Sequence, residues 1–132
     1  MDSTDCLPIN EVSGKPWSSK KKGLMHACGH DNHVAILMGA AEVLAGMKDE
    51  LRGTVKFIFQ PAEEGTPQGE EGGAKMMVAE GALKNPDVDA IFGLHITQGW
   101  AVGEIGFRSM GMMASSEKFE IKVTGSQTHA AQ

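Results

Sequence analysis

The chain has 132 residues, 41% of them apolar and 22% charged, with a formal net charge of -5. This is ordinary globular composition, long enough for one small core. The acidic balance speaks against a nucleic-acid partner, and no apolar run reaches the length that crosses a bilayer. The opening Met1-Asp2-Ser3-Thr4-Asp5 does not read as a secretory leader, and two cysteines, Cys6 and Cys28, are too few for a disulfide framework. A reducing, cytoplasmic setting is the expectation.

Residues 1–24 read as irregular chain punctuated by Gly14, Pro16 and Gly23, with Lys20-Lys21-Lys22 as a solvated turn. Val34, Leu37, Met38, Ala41 and Leu44 then recur at three- and four-residue steps. That period predicts a helix over residues 32–51, capped by Asp31 or Asn32 and ended at Gly53. Its alanines and Gly39 would allow close packing on a sheet, with Met25, Met38 and Met47 as core filler. Residues 54–60 are short, β-branched and aromatic, which predicts a strand stopped by Pro61. Residues 65–73 form a Gly-rich acidic loop without the Gly-Lys-Ser/Thr ending of a phosphate loop. A second helix is predicted over 74–83 and a buried strand over 88–96. This alternation predicts an α/β fold, with a largely parallel sheet flanked by helices.

The tail has a different pattern. Residues 104–108 suggest a strand. In residues 117–124, Phe119, Ile121 and Val123 alternate with Lys118, Glu120 and Lys122, as in a half-exposed antiparallel strand. The change places a domain boundary near residues 110–114, giving 1–112 and 113–132. The sequence stops directly after that strand, so the protein is expected to continue.

The chemistry concentrates in His26-Ala27-Cys28-Gly29-His30-Asp31-Asn32-His33. Imidazole and thiolate suit zinc and related divalent ions, and a helix N-terminus after them would lower a thiol's pKa. Cys28 and His30 lie two apart, so extended backbone would point both to one side. His26 and His33, at the edges, would support ligands or face a substrate. After the first predicted strand come Glu63-Glu64, where one carboxylate can ligate while its neighbour serves as base toward an activated water. His95 falls near the end of the second predicted strand, the rim where active sites of open α/β sheets lie. A histidine alone in such a strand would pass as a core residue. Together, Cys28, His30, Glu64 and His95 would supply four ligands from three segments, leaving room for a second ion.

Three motifs resemble a known family: Met25-His26-Ala27-Cys28-Gly29-His30-Asp31, then residues 53–65 ending in Phe59-Gln60-Pro61-Ala62-Glu63-Glu64-Gly65, then Ile91-Phe92-Gly93-Leu94-His95. They resemble the aminoacylase/carboxypeptidase metallohydrolases, in the branch of auxin-conjugate, hippurate and N-acyl-amino-acid amidohydrolases. The resemblance implies an α/β catalytic domain carrying two divalent ions, manganese or zinc, interrupted by a lid domain through which the protein often forms a homodimer. It assigns Cys28, His30, Glu64 and His95 as ligands, with Cys28 bridging, Glu63 as general base, and His129 as a lid residue reaching the substrate. The strand over 117–124 would be the first of the lid. Departures are Gln127-Thr128-His129 where the family reads Gly-Gly-His, Asp5-Cys6-Leu7-Pro8 for Asp-Ala-Leu-Pro, a longer loop at 65–73, and no late histidine ligand within these residues.

The expected reaction is hydrolysis of an N-acyl or N-aroyl amino acid, a small-molecule substrate, with no nucleic acid or membrane involved. Two alternatives stand beside it. One is a truncated, inactive metal-binding fragment. The other is a thiol enzyme using Cys28 with a histidine, sensitive to alkylation and indifferent to chelators.

Overall fold

The computed structural model describes residues 5–66, 69–115, 117 and 119–131. Regular structure among them comprises helix α1 (His30–Gly46), a 3-10 turn (Lys48–Glu50) and helix α2 (Gly73–Ala79). The chain divides into two compact units, Met1–Gln98 and Gly99–Gln132.

Helix α1 starts earlier than its apolar period suggests, and neither Asp31 nor Asn32 caps it. Its N-cap is Gly29, in the left-handed region at φ 86, with no side-chain cap. The Gly29 carbonyl closes the first turn by accepting from the N–H of Asn32 (3.0 Å) and His33 (3.3 Å). Asp31 sits in that turn, where the positive end of the helix favours a carboxylate. The helix also stops sooner than residue 51. Gly46, a weak helix former, ends it, and the chain tightens so that Leu51 N–H reaches Lys48 O at 3.3 Å. The predicted exit at Gly53 therefore lies beyond the 3-10 turn. Helix α2 ends at Ala79 and passes into successive turns rather than continuing to residue 83.

Among the described residues the predicted strands do not pair into a sheet. The one bridge joins Leu7 and Met25 antiparallel, with Leu7 N–H to Met25 O at 2.9 Å and Met25 N–H to Leu7 O at 3.1 Å. Residues 54–60, 88–96, 104–108 and 117–124 have strand-like sequence, and Lys118 lies outside the described residues. Strand propensity is a local property, whereas a ladder needs a neighbour to receive each N–H and C=O. Residues 54–60 are instead tied down by a side chain. The Lys56 ammonium donates to the carbonyls of Ala82 (3.2 Å), Lys84 (2.5 Å) and Pro86 (3.3 Å).

The expected core is correspondingly open. Val34, Leu37, Ala41 and Leu44 share the half-buried face of α1, as their spacing predicts. Met38 and Met47 are exposed rather than core filler, Gly39 meets open space, and Phe92 in the predicted buried strand is 94% exposed. The buried residues among those described are Gly29, His30, Ala62 and Gly73. Burial thus gathers where the segments bearing the site residues meet, and not along a helix–sheet interface.

In the second unit, Glu104 closes a turn: its N–H donates to Ala101 O at 3.1 Å, and its Oε2 accepts from Ala101 N–H at 2.9 Å. No helix among the described residues is long and apolar enough to cross a membrane.

Candidate metal centre

Gly29 builds the first half of the site. Its left-handed conformation turns the chain between Cys28 and His30, so these side chains converge through a tight turn and not along an extended backbone. Cys28, His30 and His95 each offer one ligand atom, all within 4.8 Å of one another. Within that set, Cys28 Sγ lies 3.3 Å from His95 Nε2.

The turn after Pro61 builds the second half. Ala62 is buried at 8% exposure and adopts φ 53, a left-handed value that costs an L-residue about 1–2 kcal/mol. Gly65 N–H closes the turn on Ala62 O at 3.3 Å. The turn aims both acids at His30, whose Nε2 is 3.6 Å from Glu63 Oε2 and 3.8 Å from Glu64 Oε1. These separations are too long for hydrogen bonds. His30, Glu63 and Glu64 form a second donor set, so His30 belongs to both.

Asp5 completes the surroundings of His30. Its Oδ2 lies 3.6 Å from His30 Nδ1, and its Oδ1 accepts the Glu63 N–H at 2.7 Å. In the sequence Asp5 stands in the Asp5-Cys6-Leu7-Pro8 element, to which the family resemblance assigns no role. The structure adds that Leu7, two residues on, bridges to Met25 just ahead of the histidine cluster. Three carboxylates therefore face one buried imidazole.

This arrangement reverses the expectation for Cys28. Its pKa is pushed up to about 11, first by the hydrogen bond with Glu64, then by desolvation and by the charges of Glu64, Glu63 and Asp5. Cys28 lies two residues before the first helical residue, and the acids around it act against its thiolate form. Without a cation these surroundings favour the protonated thiol at neutral pH.

The remaining histidines differ in their surroundings. His33 Nε2 accepts the Ile96 N–H at 3.0 Å, and its pKa is lowered by desolvation and by repulsion from His95 and His30. His26 Nε2 lies 3.5 Å from Cys6 Sγ, while its Nδ1 is enclosed without a hydrogen-bond partner among the described residues. A cavity of about 280 Å3, lined by Asp5, His26, His30, Val34, Phe59 and Pro61, opens beside the site. His129 lies in the second unit, where its Nδ1 accepts the Ala131 N–H at 3.2 Å.

The donors fit a divalent ion. Zinc legs of about 2.3 Å to sulfur and about 2.0–2.1 Å to nitrogen, meeting near the tetrahedral angle, put the two donor atoms about 3.5 Å apart. The Cys28–His95 separation of 3.3 Å is close to that. A cation would also balance the carboxylates around His30.

The sequence profile of peptidase family M20/M25/M40 matches residues 3–131. Similar proteins include N-acetyl-L-cysteine deacetylase of Bacillus subtilis, 42% identical over 96% of this chain and 29% of that protein. IAA-amino acid hydrolase ILR1-like 2 of Arabidopsis thaliana is 48% identical over 96% of this chain and 27% of that protein. Thermostable carboxypeptidase 2 of Saccharolobus solfataricus is 43% identical over 96% of this chain and 31% of that protein. The chain thus spans less than a third of the length of these curated relatives. No solved structure matches. With the profile running through nearly every residue, the chain belongs to peptidase family M20/M25/M40.

Proposed function

We propose that the full-length protein hydrolyses the amide bond of N-acyl or N-aroyl amino acids at a two-ion centre held by Cys28, His30, Glu64 and His95, with Glu63 as general base. The observation that carries this reading is the convergence of the two donor sets on His30. The similar proteins named above include a deacetylase, an amino acid conjugate hydrolase and a carboxypeptidase, which supports an amide or peptide bond beside an amino acid. Manganese or zinc bound there would polarise the scissile carbonyl and acidify a water.

The carboxylates divide by their surroundings. The Glu64 side chain is 24% exposed against 57% for Glu63, and Glu64 is the one hydrogen-bonded to Cys28. Glu64 therefore suits a ligand. Glu63 stands open toward incoming substrate, takes a proton from the attacking water at a carboxylate oxygen and hands it to the leaving amine. Asp5 holds the Glu63 backbone through the 2.7 Å hydrogen bond. The cavity of about 280 Å3 beside His30 offers room for part of a substrate.

Residues 1–112 form part of an α/β catalytic domain on a largely parallel sheet, and residues 113–132 begin a lid. In that lid His129 reaches the substrate and steadies the developing oxyanion, and a homodimer forms through it. The 132 residues by themselves are expected to bind metal without turnover.

The test uses the full-length protein, its metal content and its hydrolysis of N-acetyl and N-benzoyl amino acids. Chelation should abolish turnover and added manganese or zinc restore it. Glu63→Gln should eliminate turnover with metal content intact, whereas near-normal turnover by that variant would remove the base assigned here.

A further inference from the structure

His33 lies amid the site yet belongs to neither donor set. Its ring centroid is 4.4 Å from that of His95, edge to face at 75°, and 5.3 Å from that of His30. The ring is kept from ligation by a hydrogen bond. Ile96 N–H donates to His33 Nε2 at 3.0 Å, so that nitrogen carries a lone pair and its capacity is used.

Ile96 is joined to the centre in two further ways. Its carbonyl oxygen lies 2.5 Å from His95 Nδ1. A nitrogen that close to a carbonyl oxygen must bear the proton, which leaves the His95 lone pair on Nε2, the atom facing Cys28 Sγ at 3.3 Å. The Ile96 side chain also packs over Gly29, where an added Cβ would come within 2.3 Å of Ile96 Cδ1. One residue thus meets the Cys28–His30 turn, the His95 ring and the first turn of α1.

We propose that His33 is a positioning residue of the metal centre: by accepting the Ile96 N–H it fixes the residue whose carbonyl selects the His95 tautomer and aims Nε2 at the cation. The inference rests on the metal-centre reading above and deepens it. His33 contributes no ligand atom, and it acts through Ile96 on His95. Loss of such an outer partner typically weakens metal binding by about 10–100-fold.

The test is a cobalt(II) titration of the full-length protein, followed by the thiolate-to-cobalt absorption band, with helical content checked by circular dichroism. His33→Gln keeps an acceptor close to the Nε2 position; His33→Phe keeps the ring but removes the acceptor. Binding by His33→Gln should stay within about twofold of the parent, and binding by His33→Phe should weaken by about 10–100-fold at unchanged helical content. Parent-like binding by His33→Phe, or a loss by His33→Gln equal to that of His33→Phe, overturns the proposal. If His33→Phe does not fold, His33→Asn, one methylene too short to reach, replaces it. Gln parent-like with Asn weakened supports the role, and equal behaviour overturns it. A parent protein that takes up no cobalt, or takes it without a thiolate band, defeats the metal-centre reading itself, a result read before any His33 variant is made.

Discussion

Cys28 Sγ and His95 Nε2 lie 3.3 Å apart although 67 positions separate them in sequence. If both bind the cation, removing either should cost more than the about 10–100-fold typical of an outer partner. Cys28→Ala and His95→Ala should each lower zinc or manganese content in the full-length protein, measured by atomic emission after dialysis. The double variant should lose little beyond the worse single one, because both act on one ion. Additive losses would mean that the two residues serve separate ions.

The raised thiol pKa gives a second expectation. In metal-free protein carrying Cys6→Ala, Cys28 should alkylate slowly at neutral pH, because the thiolate is the reactive form. Its pKa stands above the ordinary value of 9.0, at about 11. The rate should therefore keep rising through pH 9 and reach half its maximum only near pH 11. A plateau reached by pH 8 would show that Glu64, Glu63 and Asp5 do not hold the proton on sulfur.

The candidate donors were legible in the sequence because their density at residues 26–33 and 63–64 is a property of composition and spacing. The period of Val34, Leu37, Ala41 and Leu44 likewise gave the half-buried face of α1. Helix ends were less legible. Gly29 caps α1 by its own left-handed backbone, in competition with two polar residues that look like better caps. The strands were least legible: residues 54–60 and 88–96 carry strand propensity, but pairing depends on neighbours that local pattern does not specify. The upward shift of the Cys28 thiol has no local signal for a related reason. A helix end is visible in sequence, whereas the approach of Asp5, Glu63 and Glu64 is a tertiary fact.

Asp5 joins His30 and Glu63, with its two oxygens 3.6 Å from His30 Nδ1 and 2.7 Å from the Glu63 nitrogen. Asp5→Asn keeps an acceptor for the Glu63 N–H but removes the charge facing His30. It should weaken metal binding by about 10-fold, and Asp5→Ala, which also frees the Glu63 backbone, by about 100-fold. Isothermal titration with zinc would rank them. Equal affinity for Asn and the parent would show that the carboxylate charge does nothing for His30.

Gly29 tests how far the centre depends on one backbone conformation. At φ 86 an alanine would pay about 1–2 kcal/mol of left-handed strain, whatever the space around it. The contact with Ile96 is a separate matter. An added Cβ would sit 2.3 Å from Ile96 Cδ1 and 2.9 Å from Cγ1. These atoms belong to a side chain that can turn aside, so the clash need not add much to the strain. Turning it aside would nevertheless disturb the residue whose N–H and carbonyl hold His33 and His95. Gly29→Ala should therefore lower stability by about 1–3 kcal/mol in chemical denaturation, and it should weaken metal binding at concentrations of denaturant far below the unfolding midpoint. A variant that is destabilised but binds zinc with parental affinity would show that Ile96 can move without carrying His95 with it.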